Sequence, residues 1–247
     1  MSWIPMCLLR TQKFEAVTFI YSTDFLDVRW FEILKIAVLG STKGTDLQAV
    51  IDTLESGKLK GVEISFVLSD KKDAYILERA KKHKLTAIFL DPKGKKREEY
   101  DKEVDSLLAK HGVQLILLIG YMKLMSSWFV DKWKNKVMNI HPSLLPMFAG
   151  GMDKNVHQEV LKYGCKLSGP TLIFIDEGAD TGPVILQKAV NIDEGETVDS
   201  LKEKVQKAEQ EIIIKGIELF RDGKLKVEGR IVLNNDTAVN QGDSFLL

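Results

Sequence analysis

The feature that most constrains this chain is a rhythm. From Lys35 to Ile140, apolar runs of strand length alternate with stretches of helical period. The runs are Lys35–Gly40, Glu63–Ser69, Thr86–Leu90, Val113–Ile119 and Lys136–Ile140. Between them, Thr45–Leu59 places Leu47, Val50, Ile51 and Leu54 on one face. Ala74–Lys84 and Glu98–His111 follow, the latter ending at Gly112 as a C-cap should. β-Branched and Leu-rich strands without polar alternation are buried on both faces, so the pattern predicts a doubly wound α/β fold, a mostly parallel sheet covered by helices on both sides. Such sheets bind ligands beyond the carboxyl ends of their strands.

After Ile140 the rhythm changes. A Pro/Gly-rich loop, His141 to Gly151, leads to a predicted helix at Asn155–Tyr163 and then to two long strands, Lys166–Asp176 and Val184–Ile192. With no crossover helix between them, these two strands are expected to be antiparallel additions at one sheet edge. Thr197–Phe220 reads as a closing helix and Lys224–Leu233 as a final short strand. One domain over residues 35–233 is expected, between an N-terminal extension (1–34) and a polar C-terminal tail (234–247) with little to bury. The extension reads as a loosely attached or mis-assigned start, or as a short capping strand or helix. Trp3 to Leu9 lacks the basic stretch that would precede the apolar part of a signal peptide.

Composition narrows the partners. The 247 residues carry 35 Lys+Arg against 35 Asp+Glu, which argues against nucleic acid or a membrane held by bulk electrostatics. No apolar run reaches the roughly 18 to 20 residues that span a bilayer. The two cysteines, Cys7 and Cys165, form no CxxC and no Cys/His cluster, so neither a metal nor a disulfide is expected and a reducing, cytoplasmic setting is the simplest reading.

Two segments carry candidate chemistry. The loop Gly40-Ser-Thr-Lys-Gly44-Thr45-Asp46 lies between the first strand and the first helix, where free N–H groups offer an anion site. It matches neither GxGxxG nor the Walker A spacing. The alternative is a plain βα turn with Thr45 or Asp46 as N-cap. Further on, Asn139 and His141 stand two apart at the end of a predicted central strand, so both side chains project to one face. A carboxamide beside an imidazole can stabilise an oxyanion while the imidazole handles a proton; the alternative is a packed strand-end histidine. The acidic run Asp176-Glu-Gly-Ala-Asp180-Thr-Gly-Pro183 reads as a solvated turn, a metal site, or a source of an aspartate for His141. His83 and His111 read as helix C-terminal cations, and His157 as a partly exposed helical residue without chemistry.

NIHPSLLP at 139–146, DEGADTGPVILQ at 176–187, KGTDLQA at 43–49 and GYMKLM at 120–125 resemble the phosphoribosylglycinamide formyltransferases of the folate-dependent formyltransferase superfamily. The resemblance covers about residues 35–233. It implies a Rossmann-like formyltransferase fold, 10-formyltetrahydrofolate as co-substrate without a metal, and glycinamide ribonucleotide (GAR) as acceptor. It places the catalytic set on Asn139, His141 and Asp180. The GAR site falls on Gly44, Thr45 and Asp46, with Arg97 as cation and Gln206 and Glu209 toward the ribose. Folate falls beside Met122, Lys123, Leu124, Met125 and Asn139, with Asp176, Glu177 and Asp180 forming the wall around its pterin. The implied enzyme is a monomer or homodimer.

Departures from that pattern are Asp46 where many relatives have Asn, Lys123 where Arg is common, Ile173 where a His is frequent, and a longer loop at 150–155. Of Asp46 only the backbone N–H is expected to help a phosphate. Within the superfamily, a methionyl-tRNA formyltransferase would need a further C-terminal domain and a basic surface. A formyltetrahydrofolate hydrolase would need a regulatory domain ahead of the catalytic one. A sugar-nucleotide formyltransferase is disfavoured by the phosphate loop and Glu209. From another class, a silent phosphate-binding α/β module would not require Asn139, His141 and Asp180 together.

Overall fold

The computed structural model of the protein describes residues 33–150, 156–235 and 245–246. The extension expected at 1–34, apart from its last two residues, and the centre of the long loop at 150–155 lie outside the described residues. The first half is β1 (Leu34–Leu39), α1 (Thr45–Glu55), β2 (Val62–Ser69), α2 (Tyr75–Lys82), β3 (Ala87–Phe89), α3 (Arg97–Lys110), β4 (Leu115–Leu118), α4 (Ser127–Lys132) and β5 (Val137–His141). All five strands run parallel, in the order β5-β4-β1-β2-β3.

β1 shows why the sheet is wound on both sides. Ile36 and Val38 pack with Leu47, Val50 and Ile51 of α1 and Ile76 of α2, whereas Ala37 and Leu39 pack with Tyr100, Val104 and Leu108 of α3 and Phe129 of α4. Alternate residues of one strand thus enter opposite cores, and both sets are apolar. α4 was not expected. It is short, and Ser126 starts it by accepting from the Phe129 N–H at 3.3 Å.

The second half is α5 (Val156–Tyr163), β6 (Leu167–Ser168), β7 (Thr171–Phe174), β8 (Val184–Lys188), β9 (Val190–Asn191), α6 (Val198–Arg221), β10 (Leu225–Glu228), β11 (Ile231–Asn234) and β12 (Phe245–Leu246). β7 is antiparallel to β5 and β8 to β7, as expected for the two additions. The two long strands, however, are each broken. A Cβ on Gly169, whose φ is +144°, would lie 1.9 Å from the Lys188 carbonyl oxygen, and Pro170 has no N–H to give a ladder. The pieces beyond the break, β6 and β9, form their own two-stranded ribbon.

The final strand is in fact a hairpin, β10–β11. It turns at Gly229-Arg230, with Gly229 in the left-handed region that a two-residue hairpin loop requires. The tail expected to have little to bury returns Phe245 and Leu246 to pair antiparallel with β8. α6 lays Ile212, Ile213 and Ile217 against the α1 side of the sheet, bringing its polar face to the start of α1.

Candidate active site

β5 ends in Asn139-Ile140-His141, at the carboxyl edge of the parallel sheet. Asn139 Nδ2 donates to Asp180 Oδ1 at 3.3 Å, and His141 Nδ1 lies 3.2 Å from Asp180 Oδ2. The backbone N–H of Gly150 donates to the same Oδ2 at 3.1 Å. One carboxylate therefore gathers three donors from two segments, β5 and the loop that follows it. The His141 hydrogen bond, more than the opposing burial, holds the Asp180 carboxyl below its ordinary range. His141 is 6% exposed and its Nε2 is enclosed with no protein partner. A buried ring nitrogen left without a partner costs about 1–3 kcal/mol, a cost that functional sites tolerate because a ligand takes the place.

The turn after β7 delivers Asp180. Asp176 Oδ1 accepts from Gly178 N–H at 3.0 Å and from Thr181 Oγ1 at 2.6 Å, an Asx-type turn that shapes the loop from within. Asp180 itself sits at φ +56°, and a Cβ on Gly182 would fall 1.8 Å from the Phe174 carbonyl oxygen, so the chain closes there only with glycine. The exit loop after His141 hangs on one hydroxyl. Thr171 Oγ1 donates to Ser143 O at 2.7 Å and accepts from Leu145 N–H and Gln187 Nε2, both at 2.9 Å. That is the full capacity of a hydroxyl. Thr171, Ser143 and Gln187 are not singled out from sequence, although Thr171 and Gln187 are the polar ends of the apolar runs TLIF and VILQ; Ser143 has no such signal.

A cleft of about 620 Å³, open to solvent, lies beside Asn139 and Asp180. Lys123, Leu124 and Met125 line one side, Tyr121 and Leu118 the floor, and Asp176 to Gly182 the other side. Ile173 closes it from β7, where no imidazole stands. Met122 is not among the lining residues; its N–H donates to Ser41 Oγ at 3.0 Å. Lys123 lines the cleft with its Nζ 4.9 Å from the centre of the Tyr100 ring. Ser41 also donates to Asp70 Oδ1 at 2.6 Å, tying the loop after β1 to those after β2 and β4. Neither Ser41 nor Asp70 was singled out from sequence.

The second group forms at the other expected site. Gly44, at φ +64°, is the N-cap of α1, and no side chain caps the helix. The alternative of Thr45 or Asp46 as N-cap is therefore corrected: Gly44 holds that position without a side-chain cap, and Asp46 from inside the first turn engages only its own N–H. A Cβ on Gly44 would lie 2.4 Å from Ile76 Cγ1, so the turn needs glycine for space as well as for φ. Asp46 is buried in the first turn, and Glu209 is buried on the facing helix α6 with half-buried Gln206 one turn before it. Burial raises the Asp46 carboxyl to about 6, partly offset by its own N–H. Burial and the Asp46 charge raise Glu209 to about 8.

Arg97 opens α3 with its side chain exposed, and among the described residues no hydrogen bond joins it to Gly44–Asp46. His83 and His111 stand at the C-caps of α2 and α3 as expected. His157 is corrected: it is 8% exposed, not partly exposed, because α5 turns that face onto α6, and burial with nearby Lys202 lowers its pKa. Among the described residues no group of three His, Cys, Asp or Glu could hold a metal ion, and no helix is long and apolar enough to cross a membrane.

Comparison with known proteins agrees with this geometry. The Formyl transferase family profile matches residues 34–217. Phosphoribosylglycinamide formyltransferase of Haemophilus influenzae is 35% identical over 198 residues, which are 80% of this chain and 92% of that protein. The trifunctional purine biosynthetic protein adenosine-3 of Chironomus tentans is 38% identical over 198 residues, 79% of this chain. The chain spans only 14% of the length of that larger protein. In three dimensions, glycinamide ribonucleotide transformylase 1 of Symbiobacterium toebii superposes with a TM-score of 0.78 at 38% identity, over 83% of this chain and 95% of that one.

Proposed function

The chain belongs to the formyl transferase family, and from that premise we propose that it transfers the formyl group of 10-formyltetrahydrofolate to the amine of glycinamide ribonucleotide (GAR), giving formyl-GAR in de novo purine biosynthesis. The observation that carries the proposal is the convergence of Asn139, His141 and the Gly150 N–H on one Asp180 carboxylate beside an open cleft. In this reading residues 35–233 are the formyltransferase domain and the enzyme works in the cytoplasm on small molecules.

The chemistry follows from donors left over. Asn139 has two amide N–H groups and gives one to Asp180; the second is free for an oxyanion. His141 binds Asp180 through Nδ1, which leaves Nε2 for the substrate. The amine lone pair of GAR attacks the formyl carbon, and the carbonyl π electrons move to oxygen. Asn139 and His141 Nε2 stabilise that oxygen as hydrogen-bond donors, while Asp180 orients His141 and positions a water that relays the ammonium proton. Collapse breaks the bond to folate N10, which leaves with a proton as tetrahydrofolate.

Lys123, Leu124, Met125 and the wall Asp176, Glu177 and Asp180 fit the folate, with Asn139 at its reactive end. Met122 supports that wall through the backbone rather than by lining it. The uncapped start of α1 at Gly44 and Thr45 fits the GAR phosphate, Gln206 and Glu209 fit its ribose, and Arg97 supplies an exposed cation at the same sheet edge. The test is to incubate folded protein with GAR and 10-formyltetrahydrofolate and to follow deformylation of the folate. Turnover that requires GAR is expected, and its absence contradicts the proposal.

A further inference from the structure

Asp46 and Glu209 are an anomaly in a site read as binding a phosphate. Each is more than nine-tenths buried, they lie on facing helices α1 and α6, and Asp46 Oδ1 is fully enclosed with no hydrogen-bond partner. Two ionised carboxylates enclosed together, beside a bound phosphate, would place three like-charged groups in a medium that screens them poorly. The charged groups facing them do not cancel this. Lys202, on α6, lowers the Glu209 pKa but less than burial and Asp46 raise it. His157, which faces the same Lys202 from α5, has a depressed pKa and contributes little positive charge.

We propose that Asp46 and Glu209 hold one proton between them, and that this shared proton switches the affinity of the α1 turn for a phosphorylated ribose. The inference rests on the reading of that turn and Glu209 as the ribose phosphate site. With one proton in place, the pair carries a single charge, and the protonated carboxyl gains an O–H donor much as an amide would offer an N–H. That neutral donor is present only while the proton stays. Loss of the proton adds a second enclosed negative charge facing the phosphate. At a separation of several ångströms and an effective dielectric constant of about 20, that charge corresponds to at least about a tenfold loss of affinity.

The probe is ribose 5-phosphate, its binding followed by calorimetry between pH 7 and 9, where the phosphate itself has completed its ionisation. Wild-type affinity is expected to fall at least about tenfold over that range. Asp46→Asn should move the midpoint of the fall downward, because the charge facing Glu209 is gone. Glu209→Gln should bind more weakly but with less than about twofold variation over the same range, since the upper titration is removed. A flat wild-type profile overturns the inference without any variant. So does an unchanged midpoint in Asp46→Asn, provided its circular dichroism matches wild type. Failure to bind ribose 5-phosphate at any pH overturns both this inference and the phosphate-site reading. A pH-dependent fall in a protein that shows no GAR-dependent deformylation supports the switch and contradicts the proposed activity.

Discussion

Asp180 and Asp46 are both largely enclosed aspartates at the carboxyl edge of one sheet, yet their acidities move in opposite directions. Asp180 meets the imidazole of His141, the amide of Asn139 and a backbone N–H, so its charge is compensated and its pKa falls. Asp46 is raised to about 6 by burial, with no side-chain donor to offset it, and its charge in turn helps raise Glu209. Residue type is shared; Asp46 is the more deeply buried of the two and lacks the donors that neighbouring segments bring to Asp180. A negative charge is stabilised where three donors converge on it. It is costly beside a second enclosed carboxyl, where a proton can remove it.

Substitutions can break this contrast, beginning with the largest effect. His141→Ala should lower kcat by at least about 10²-fold, because an oxyanion donor is lost, with the KM for folate changing much less. Steady-state kinetics check this, and near-wild-type turnover rejects the role. Asp180→Asn keeps the shape but removes the charge that holds His141 through Nδ1. It should lower kcat by about tenfold or more, with the KM for folate changing much less in the same steady-state kinetics.

Glu209→Gln acts on stability. The folded-state pKa of Glu209 is raised, so the stabilising protonated form is fully present below the ordinary value of 4.5 and is lost as pH rises through about 8. Glu209→Gln should therefore match wild type near pH 4.5 and exceed it at pH 9 by an amount on the order of a few kcal/mol. Urea denaturation at the two pH values measures the gap; an equal gap at both contradicts the buried-acid account. The smallest effect belongs to Asp180, whose pKa is lowered. Its contribution is present above 3.8 and lost as pH falls below it, so Asp180→Asn should lose less stability on acidification than wild type.

The two regions also differ in how legible they were. The parallel half was readable because its strands are continuous apolar runs, and β1 to β5 lie within two residues of their expected bounds. Asn139 and His141 shared a face for the simplest reason, a spacing of two on a strand. The antiparallel half was less readable: Gly169-Pro170 interrupts the strand without interrupting its apolar character, so periodicity ran through the break. α4 was too short to show a helical period. His157 looked exposed because its helix carries polar neighbours, whereas the face that holds it is fixed by α6. The pairing of Asp46 with Glu209 joins helices far apart in the chain, and no local pattern announces such a contact. Asp180 reached His141 by resemblance alone until the turn around Asp176 was seen to carry it there.

The most direct test of the account follows the fate of the formyl carbon. With 10-formyltetrahydrofolate labelled with ¹³C in the formyl group, GAR and the purified protein, carbon NMR should show the folate signal replaced one for one by an amide formyl signal on GAR. No labelled formate should accumulate. Label released as formate, or label that leaves the folate at the same rate without GAR, would contradict formyl transfer as the function of this site.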